Sequence, residues 1–350
     1  MKALKSIGQR NIDGCDFMKK NILDVLKEIK AGVIKSIQLN SQKPVTTIAQ
    51  DVHDVEICVH EPAIEFVPIE DNSVISCQPL RMAVSTPPET RFFKIEDPEY
   101  PRKIAYTVSG DMDGDNILIC LPGLLETKES FMVIHAYFLK FENCKVISVD
   151  FSGRGESDYI KEYGDYKMSL YLSDISKLIQ GAILNEGRSK KKITVLGTSM
   201  GGVLAMYLTK ILSKKIDGII LNDIALTVNW TSLYALYKSM KNDLGFKEVR
   251  ELAKDLSVDL KAISDVQLPG HFDLSYKADV WGMNFHEALE GFKGKVGLIY
   301  GAESKICTKQ RVEGAKSFIP QIETLEVPNA GHPAPFNLLV CDFIQSQIGV

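Results

Sequence analysis

Short apolar segments alternate with amphipathic ones over most of the chain. Eight segments from residue 91 onward are rich in β-branched and other apolar residues and are predicted as strands: RFFKI (91–95), KIAYTVS (103–109), NILICL (116–121), KVISVD (145–150), ITVLG (193–197), GIILND (218–223), KVGLIYG (295–301) and IETLEV (322–327). Helical spacing of apolar residues predicts helices over 128–141, 168–185, 200–213, 308–317 and 337–347. Strands alternating with helices form βαβ units, so the pattern predicts an α/β fold with a mostly parallel central sheet and helices on both faces.

Two regions depart from this alternation. Residues 226–292 contain no segment that predicts a buried strand, and their most regular segments are amphipathic helices, so we expect a helical cap over the end of the sheet. Within 16–37, apolar residues recur at spacings of three and four, which predicts a helix; prolines interrupt the short extended segments that follow. We therefore expect an N-terminal extension (1–90), an α/β core (91–225 and 293–350) and the cap.

Composition and charge narrow the class of protein. The chain has 350 residues, 45% hydrophobic and 25% charged, and its net charge of −4 gives no reason to expect nucleic acid as a partner. An odd number of cysteines, seven, without a signal peptide favours a reducing, cytoplasmic setting. The scattered cysteines and histidines have no ligand spacing, so no metal is expected. No signal-peptide pattern and no apolar run of roughly 18 residues are present, so a membrane span is not expected. The oligomeric state is left open.

A serine stands between two glycines where a strand gives way to a helix. The segment GTSMG (197–201) follows ITVL and leads into the predicted helix 200–213. A strand, a sharp turn and a helix in this order are the context of a nucleophile elbow. The glycines permit a turn so sharp that a side chain at either position would collide with backbone. The turn would hold Ser199 at the carboxyl edge of the sheet, beside a helix N-terminus that favours negative charge. Ser199 is therefore the candidate nucleophile.

Three other segments occur in a fixed order around this turn. LPGL (121–124) follows the third predicted strand, DFSGRGES (150–157) the fourth, and PNAGHP (328–333) the last. Together with Ser199, they make residues 91–350 resemble the α/β-hydrolase superfamily, and more narrowly its bacterial esterase-like members with a helical cap. Read alone, the Gly-Arg-Gly within 150–157 suggests a phosphate loop, but the third glycine is missing. In the family this turn shapes the floor of the cleft.

The resemblance implies roles for individual residues. His332 is the expected general base, because a serine hydroxyl needs a proton acceptor to become a nucleophile. The backbone N–H groups of Leu124 and Met200 are expected to form the oxyanion hole. His271 and His286, in or beside the cap, are candidates for lining the pocket.

A carboxylate that orients the histidine is the third member of the catalytic triad in this family, and here the sequence departs from the family pattern. In related sequences an Asp stands in the loop after the strand corresponding to KVGLIYG, but here that position is Lys305. A cation there disfavours the imidazolium that forms in catalysis. Asp223, at the end of GIILND, is the favoured acid, because certain haloalkane dehalogenases of this fold use that position. Glu303 is the alternative, and a chain with neither acid in place is a non-catalytic binding protein.

A serine nucleophile, rather than an aspartate, favours acyl transfer. The resemblance thus implies a carboxylesterase that hydrolyses esters of small or medium acyl chains through an acyl-enzyme on Ser199, with no metal or organic cofactor. Amidase, aminopeptidase, carbon–carbon hydrolase and acyltransferase chemistries stay open, because the cap sets the substrate and the sequence of a cap says little about its shape.

Overall fold

The computed structural model describes residues 86–161, 164–184, 191–229, 246–255, 257–268, 270–278 and 282–350. The helix predicted within 16–37 and almost all of the predicted extension (1–90) lie outside the described residues. The first described strand begins at Thr86, inside that predicted extension, and its register against the next strand shifts between Thr86 and Glu89. The shift accommodates two prolines, which strands tolerate at an edge or a bulge.

The described elements follow the predicted alternation. The strands are β1 (Thr86–Ile95), β2 (Arg102–Gly110), β3 (Asn116–Leu121), β4 (Cys144–Val149), β5 (Lys192–Thr198), β6 (Gly218–Asn222), β7 (Thr227–Asn229), β8 (Lys277–Ala278), β9 (Gly282–Asn284), β10 (Lys295–Gly301) and β11 (Glu323–Val327). The α-helices are α1 (Met132–Phe138), α2 (Met168–Leu178), α3 (Met200–Ile211), α4 (Phe246–Asp255), α5 (Leu260–Ser264), α6 (Lys309–Phe318) and α7 (Leu338–Ile348). A π-helical turn, Ile179–Ile183, extends α2, and 3₁₀ turns span Lys128–Phe131, Asp265–Gln267 and His286–Leu289.

Eight strands form one sheet in the order β1-β2-β4-β3-β5-β6-β10-β11. β2 pairs antiparallel with both β1 and β4, and the pairs from β4 to β11 are parallel. The predicted α/β class with a mostly parallel sheet is confirmed. β5 lies near the middle of the sheet, so the chain leaves the sheet at a central position just before Ser199.

Helices cover both faces of the sheet. In β3, Ile117, Ile119 and Leu121 belong to the core that includes α2 and α3, whereas Leu118 and Cys120 belong to the core that includes α1 and α7. Successive side chains of a strand point to opposite faces, and here both faces are buried. This explains why NILICL reads as an unbroken apolar run rather than as an alternating one.

The region predicted as a helical cap (226–292) also contains strands. β7, β9 and β8 form a separate three-stranded antiparallel sheet, and the same region of the sequence includes α4 and α5. The sequence did not predict these strands, because segments of two or three residues are too short to display a period of two. Among the described residues, no helix combines the length and apolarity that crossing a bilayer requires.

Candidate active site

Ser199 occupies a tight turn between β5 and α3. Its φ angle is +48°, and its N–H donates to the carbonyl of Asn222 at 2.9 Å. A Cβ at Gly197 would lie 2.3 Å from backbone atoms of Gly201, and a Cβ at Gly201 would lie 2.3 Å from the carbonyl oxygen of Leu121. Only glycine fits at these two positions, so the sequence of the turn fixes the location of the serine.

The side chain of His332 contacts Ser199. His332 follows β11, is 5% exposed, and its Nε2 lies 3.0 Å from Ser199 Oγ. Its other ring nitrogen, Nδ1, lies 3.3 Å from Asp223 Oδ2. Because a carboxylate only accepts hydrogen bonds, it favours the tautomer with the proton on Nδ1. Nε2 is then free to accept the proton of the serine hydroxyl.

Asp223 is buried directly after β6. It is 0% exposed, its φ angle is +61°, and its N–H donates to the carbonyl of Ile299 at 2.7 Å. Neither carboxylate oxygen forms a hydrogen bond within the described part of the chain, since the approach to His332 Nδ1 has an ion-pair distance without hydrogen-bond geometry. Catalytic hydrogen bonds commonly tighten only in the complex with substrate. The imidazole of His332 is within ion-pair distance of this carboxylate.

Glu303 and Lys305 lie on the surface of the loop after β10. Both are exposed, and the backbone N–H of Glu303 donates to the carbonyl of Ala330 at 2.9 Å. No ion pair joins Glu303 to His332 among the residues that the structure describes. Of the two candidate acids, the structure brings Asp223 to the imidazole and leaves Glu303 on the surface.

The two residues whose backbone N–H groups are expected to bind an oxyanion lie at the same pocket as Ser199. Leu124 and Met200 both line it. Met200 is the first residue of α3, where a backbone N–H has no acceptor within the helix. The peptide between Gly123 and Leu124 is held from its carbonyl side, because Arg154 Nη1 donates to the Gly123 oxygen at 3.3 Å. Since C=O and N–H point in opposite directions across a trans peptide, this contact directs the Leu124 N–H away from Arg154.

Glu126 holds the other side of Gly123. Its Oε2 accepts the Gly123 N–H at 2.7 Å, and the side chain is buried in the pocket wall. Burial raises the pKa of Glu126, while the Gly123 N–H and the charges of His332 and Arg154 act in the opposite direction. The sequence interpretation did not assign Glu126 a role; its position three residues after Gly123 is the one signal that it can reach back to the loop.

Arg154 lies in the turn that shapes the cleft floor in the family, and here its side chain is a fully buried cation. Its guanidinium lies over the rings of Phe151 and Tyr171, at 5.8 and 5.5 Å from their centroids. Nε and Nη2 have no hydrogen-bond partner among the described residues. The turn cannot act as a phosphate loop, because the N–H groups of Gly153, Arg154 and Gly155 already donate to carbonyl oxygens of the chain.

The pocket beside Ser199 is mainly apolar. Its apolar lining includes Met168, Val203, Ile224, Val266, Phe272 and Phe285. Of the two histidines considered as pocket residues, His271 lines the pocket. His286 instead stacks on Phe318, with ring centroids 4.2 Å apart, and is not part of the lining. An apolar chamber of this kind suits an acyl chain.

Comparisons with known proteins agree with this architecture. Residues 116–248 match the family model described as the alpha/beta hydrolase fold. The chain is 22% identical over 290 residues to a 3-hydroxybutyrate-oligomer hydrolase of Cupriavidus necator, covering 72% of this chain and 94% of that protein. An alpha/beta hydrolase from Novosphingobium aromaticivorans superposes with a TM-score of 0.58 at 20% identity, covering 75% of this chain and 99% of the other. A thermophilic esterase from Thermogutta terrifontis superposes with a TM-score of 0.56 at 18% identity, covering 73% of this chain and 97% of the other.

Proposed function

Because this chain belongs to the α/β-hydrolase superfamily, we propose that it is a serine hydrolase that cleaves carboxylic esters of small or medium acyl chains. The observation that carries the proposal is the alignment of three groups: Ser199 Oγ is 3.0 Å from His332 Nε2, and His332 Nδ1 is 3.3 Å from Asp223. A nucleophile, a base and an orienting carboxylate in this order are what acyl transfer requires.

In the first half-reaction, Ser199 Oγ attacks the ester carbonyl while its proton passes to His332 Nε2. The imidazolium that forms carries its second proton toward Asp223, whose negative charge stabilises it. When the tetrahedral intermediate collapses, the proton on Nε2 goes to the departing alkoxide, and the alcohol leaves. The acyl group is now an ester of Ser199, and a water molecule activated by the same imidazole releases the acid.

The negative charge on the carbonyl oxygen is stabilised by the N–H groups of Leu124 and Met200. Their donors belong to rigid backbone, which needs no reorganisation when the charge develops. Arg154 and Glu126 act as positioning residues, since they fix the carbonyl and the N–H of Gly123, the residue before Leu124. The cation beside the Gly123 oxygen also polarises the peptide so that its N–H becomes a stronger donor.

Two further observations support ester substrates. The pocket lining is apolar, as an acyl chain requires. The relative from Cupriavidus necator is named a 3-hydroxybutyrate-oligomer hydrolase, and oligomers of a hydroxy acid are joined by ester bonds. The second observation favours esters over amides as the substrate class.

The proposal is tested by labelling the purified full chain with a fluorophosphonate probe and by measuring hydrolysis of p-nitrophenyl esters of increasing chain length. We expect labelling at Ser199, and we expect Ser199→Ala to lose both labelling and at least about 10⁴-fold in kcat. Ser317→Ala is the matched control, because Ser317 is exposed on α6. Near-normal turnover by Ser199→Ala would refute the nucleophile assignment.

A further inference from the structure

One polar side chain in the apolar pocket has no role in the proposed mechanism. His271 is 5% exposed and lines the same pocket as Ser199 and His332. It belongs to the stretch between β7 and β8, which provides part of the pocket wall. Buried polar groups are normally hydrogen-bonded, so the partners of both ring nitrogens of this imidazole need to be identified.

One of its ring nitrogens is already committed. Nδ1 lies 2.8 Å from the carbonyl oxygen of Tyr166. A carbonyl oxygen only accepts, so Nδ1 must carry the proton and donate it. The backbone of His271 is fixed as well: its N–H donates to Leu268, and its carbonyl accepts the N–H of Met168 at the start of α2. The ring is therefore held in one orientation and one tautomer.

The other nitrogen is left for a ligand. With the proton on Nδ1, a neutral imidazole presents Nε2 as a hydrogen-bond acceptor. Within the described residues, Nε2 has no hydrogen-bond partner. Burial and the nearby Arg154 lower the pKa of His271, which keeps the ring neutral and Nε2 unprotonated. The other polar side chains of the lining each have a contact: Glu126 Oε2 holds Gly123, Thr198 contacts Asn222, and Ser199 and His332 contact each other.

We propose that His271 Nε2 accepts a hydrogen bond from a hydroxyl group on the acyl part of the substrate, so that the enzyme prefers hydroxyacyl esters to the corresponding esters without the hydroxyl. This inference rests on the proposed ester hydrolysis and deepens it. An apolar pocket with an unused, uncharged acceptor matches a short aliphatic chain with a single donor. The free hydroxyl end of a hydroxy-acid oligomer has that composition, and it enters the site as the acyl group when the terminal ester bond is cleaved.

The test compares two esters that differ by one oxygen atom. p-Nitrophenyl 3-hydroxybutyrate (each enantiomer) and p-nitrophenyl butyrate share their leaving group and chain length. For the unmodified full chain we expect kcat/KM to be roughly 10- to 100-fold higher for one enantiomer of the hydroxy ester, because the butyrate ester leaves a buried acceptor unpaired.

Two substitutions of His271 test the hydrogen-bond acceptor separately from any effect on folding. In His271→Asn, the short amide can still donate to the Tyr166 carbonyl but does not reach the position of Nε2, so the ratio of the two kcat/KM values should fall to about one. In His271→Gln, the longer side chain can bring its amide oxygen near that position, so part of the preference should return. Thermal unfolding of each variant checks that the protein is folded.

The possible results are distinct. Equal kcat/KM values for the two esters in the unmodified protein would overturn the inference, and so would a preference that survives in His271→Asn. The first of these measurements needs no variant, so the inference can fail even if both substitutions prevent folding. If neither ester is hydrolysed and the fluorophosphonate does not label Ser199, the proposed function itself fails and takes this inference with it.

Discussion

Replacing the carboxylate of Asp223 is the most direct test of how the imidazole works. In Asp223→Asn the negative charge next to His332 Nδ1 is lost, while the shape of the side chain is retained. The backbone at this position has a φ angle of +61°, which Asn tolerates as well as Asp does. The substitution therefore changes the charge and the hydrogen-bonding pattern with little expected effect on the fold.

The magnitude follows from the 3.3 Å separation of Asp223 Oδ2 and His332 Nδ1. For two unit charges at that distance, an effective dielectric constant of about 20 gives an attraction of about 5 kcal/mol. The full attraction exists only while the imidazole is charged, which is the state near the transition state, so its loss raises the barrier. At about 1.4 kcal/mol per factor of ten, we expect kcat to fall by roughly 10³- to 10⁴-fold. The amide can also stabilise the wrong imidazole tautomer, which acts in the same direction.

The assay is kcat for p-nitrophenyl butyrate at saturating concentration, with two matched variants in the loop after β10. Glu303→Gln removes a carboxylate that is exposed, so its kcat should stay within about tenfold of the unmodified protein. Lys305→Asp should have little effect or increase kcat, because it adds a carboxylate where related sequences have one. Thermal unfolding should give a midpoint for Asp223→Asn that is equal or higher, since the native carboxylate is buried without a hydrogen bond among the described residues. A severe loss in Glu303→Gln combined with a mild one in Asp223→Asn would refute the reasoning.

Two further substitutions test other buried charges and polar groups. Arg154→Met should lower kcat for p-nitrophenyl butyrate by about tenfold or more, with a smaller change in KM. The reason is that a loosened Gly123–Leu124 peptide matters most once the oxyanion forms. An effect on KM alone would contradict the positioning role. Burial lowers the pKa of His135 to about 3, and Ser109 and Ser148 hold its two nitrogens. Below its unfolded value of about 6.5 the unfolded state binds more protons than the folded state, so the free energy of unfolding should fall by about 2 kcal/mol between pH 7 and pH 5 on account of this group. Urea denaturation at both pH values should show that drop reduced in His135→Gln, and an unchanged drop would show that other groups cause it.

The sequence predicts the main sheet well, because its strands produce strong local signals. β3 is buried on both faces and reads as a continuous apolar run, and Ser199 is marked by glycines that the sharp turn requires. β7 and β9 produce no such signal, since three residues do not display a period. Their pairing depends on contacts between segments more than 50 residues apart, which no local pattern reports.

The roles of buried charged residues were harder to predict. Glu126 contacts Gly123 within one loop, whereas Arg154 reaches the carbonyl of Gly123 from a turn 31 residues later in the sequence. The role of Arg154 therefore depends on the loop after β3 lying beside the turn after β4, which no local pattern reports. His271 and His286 were equivalent candidates in the sequence. The structure separates them by their neighbours: the first has a fixed tautomer inside the pocket, and the second stacks on an exposed ring of α6.

The position proposed for the acid is explained by the order of the strands. β6 lies between β5, which leads to Ser199, and β10, whose loop provides the acid in related sequences. In the parallel register Asn222 is opposite Ile299, and the N–H of Asp223 donates to the Ile299 carbonyl. A carboxylate just beyond β6 therefore projects from nearly the same point of the sheet edge as one in the loop just beyond β10. β6 and β10 end side by side at this edge, and the loop after β11 brings His332 to the carboxylate beyond β6. On the proposed mechanism, a carboxylate at position 223 removes the need for one at position 305, and that position can then carry a lysine on the surface.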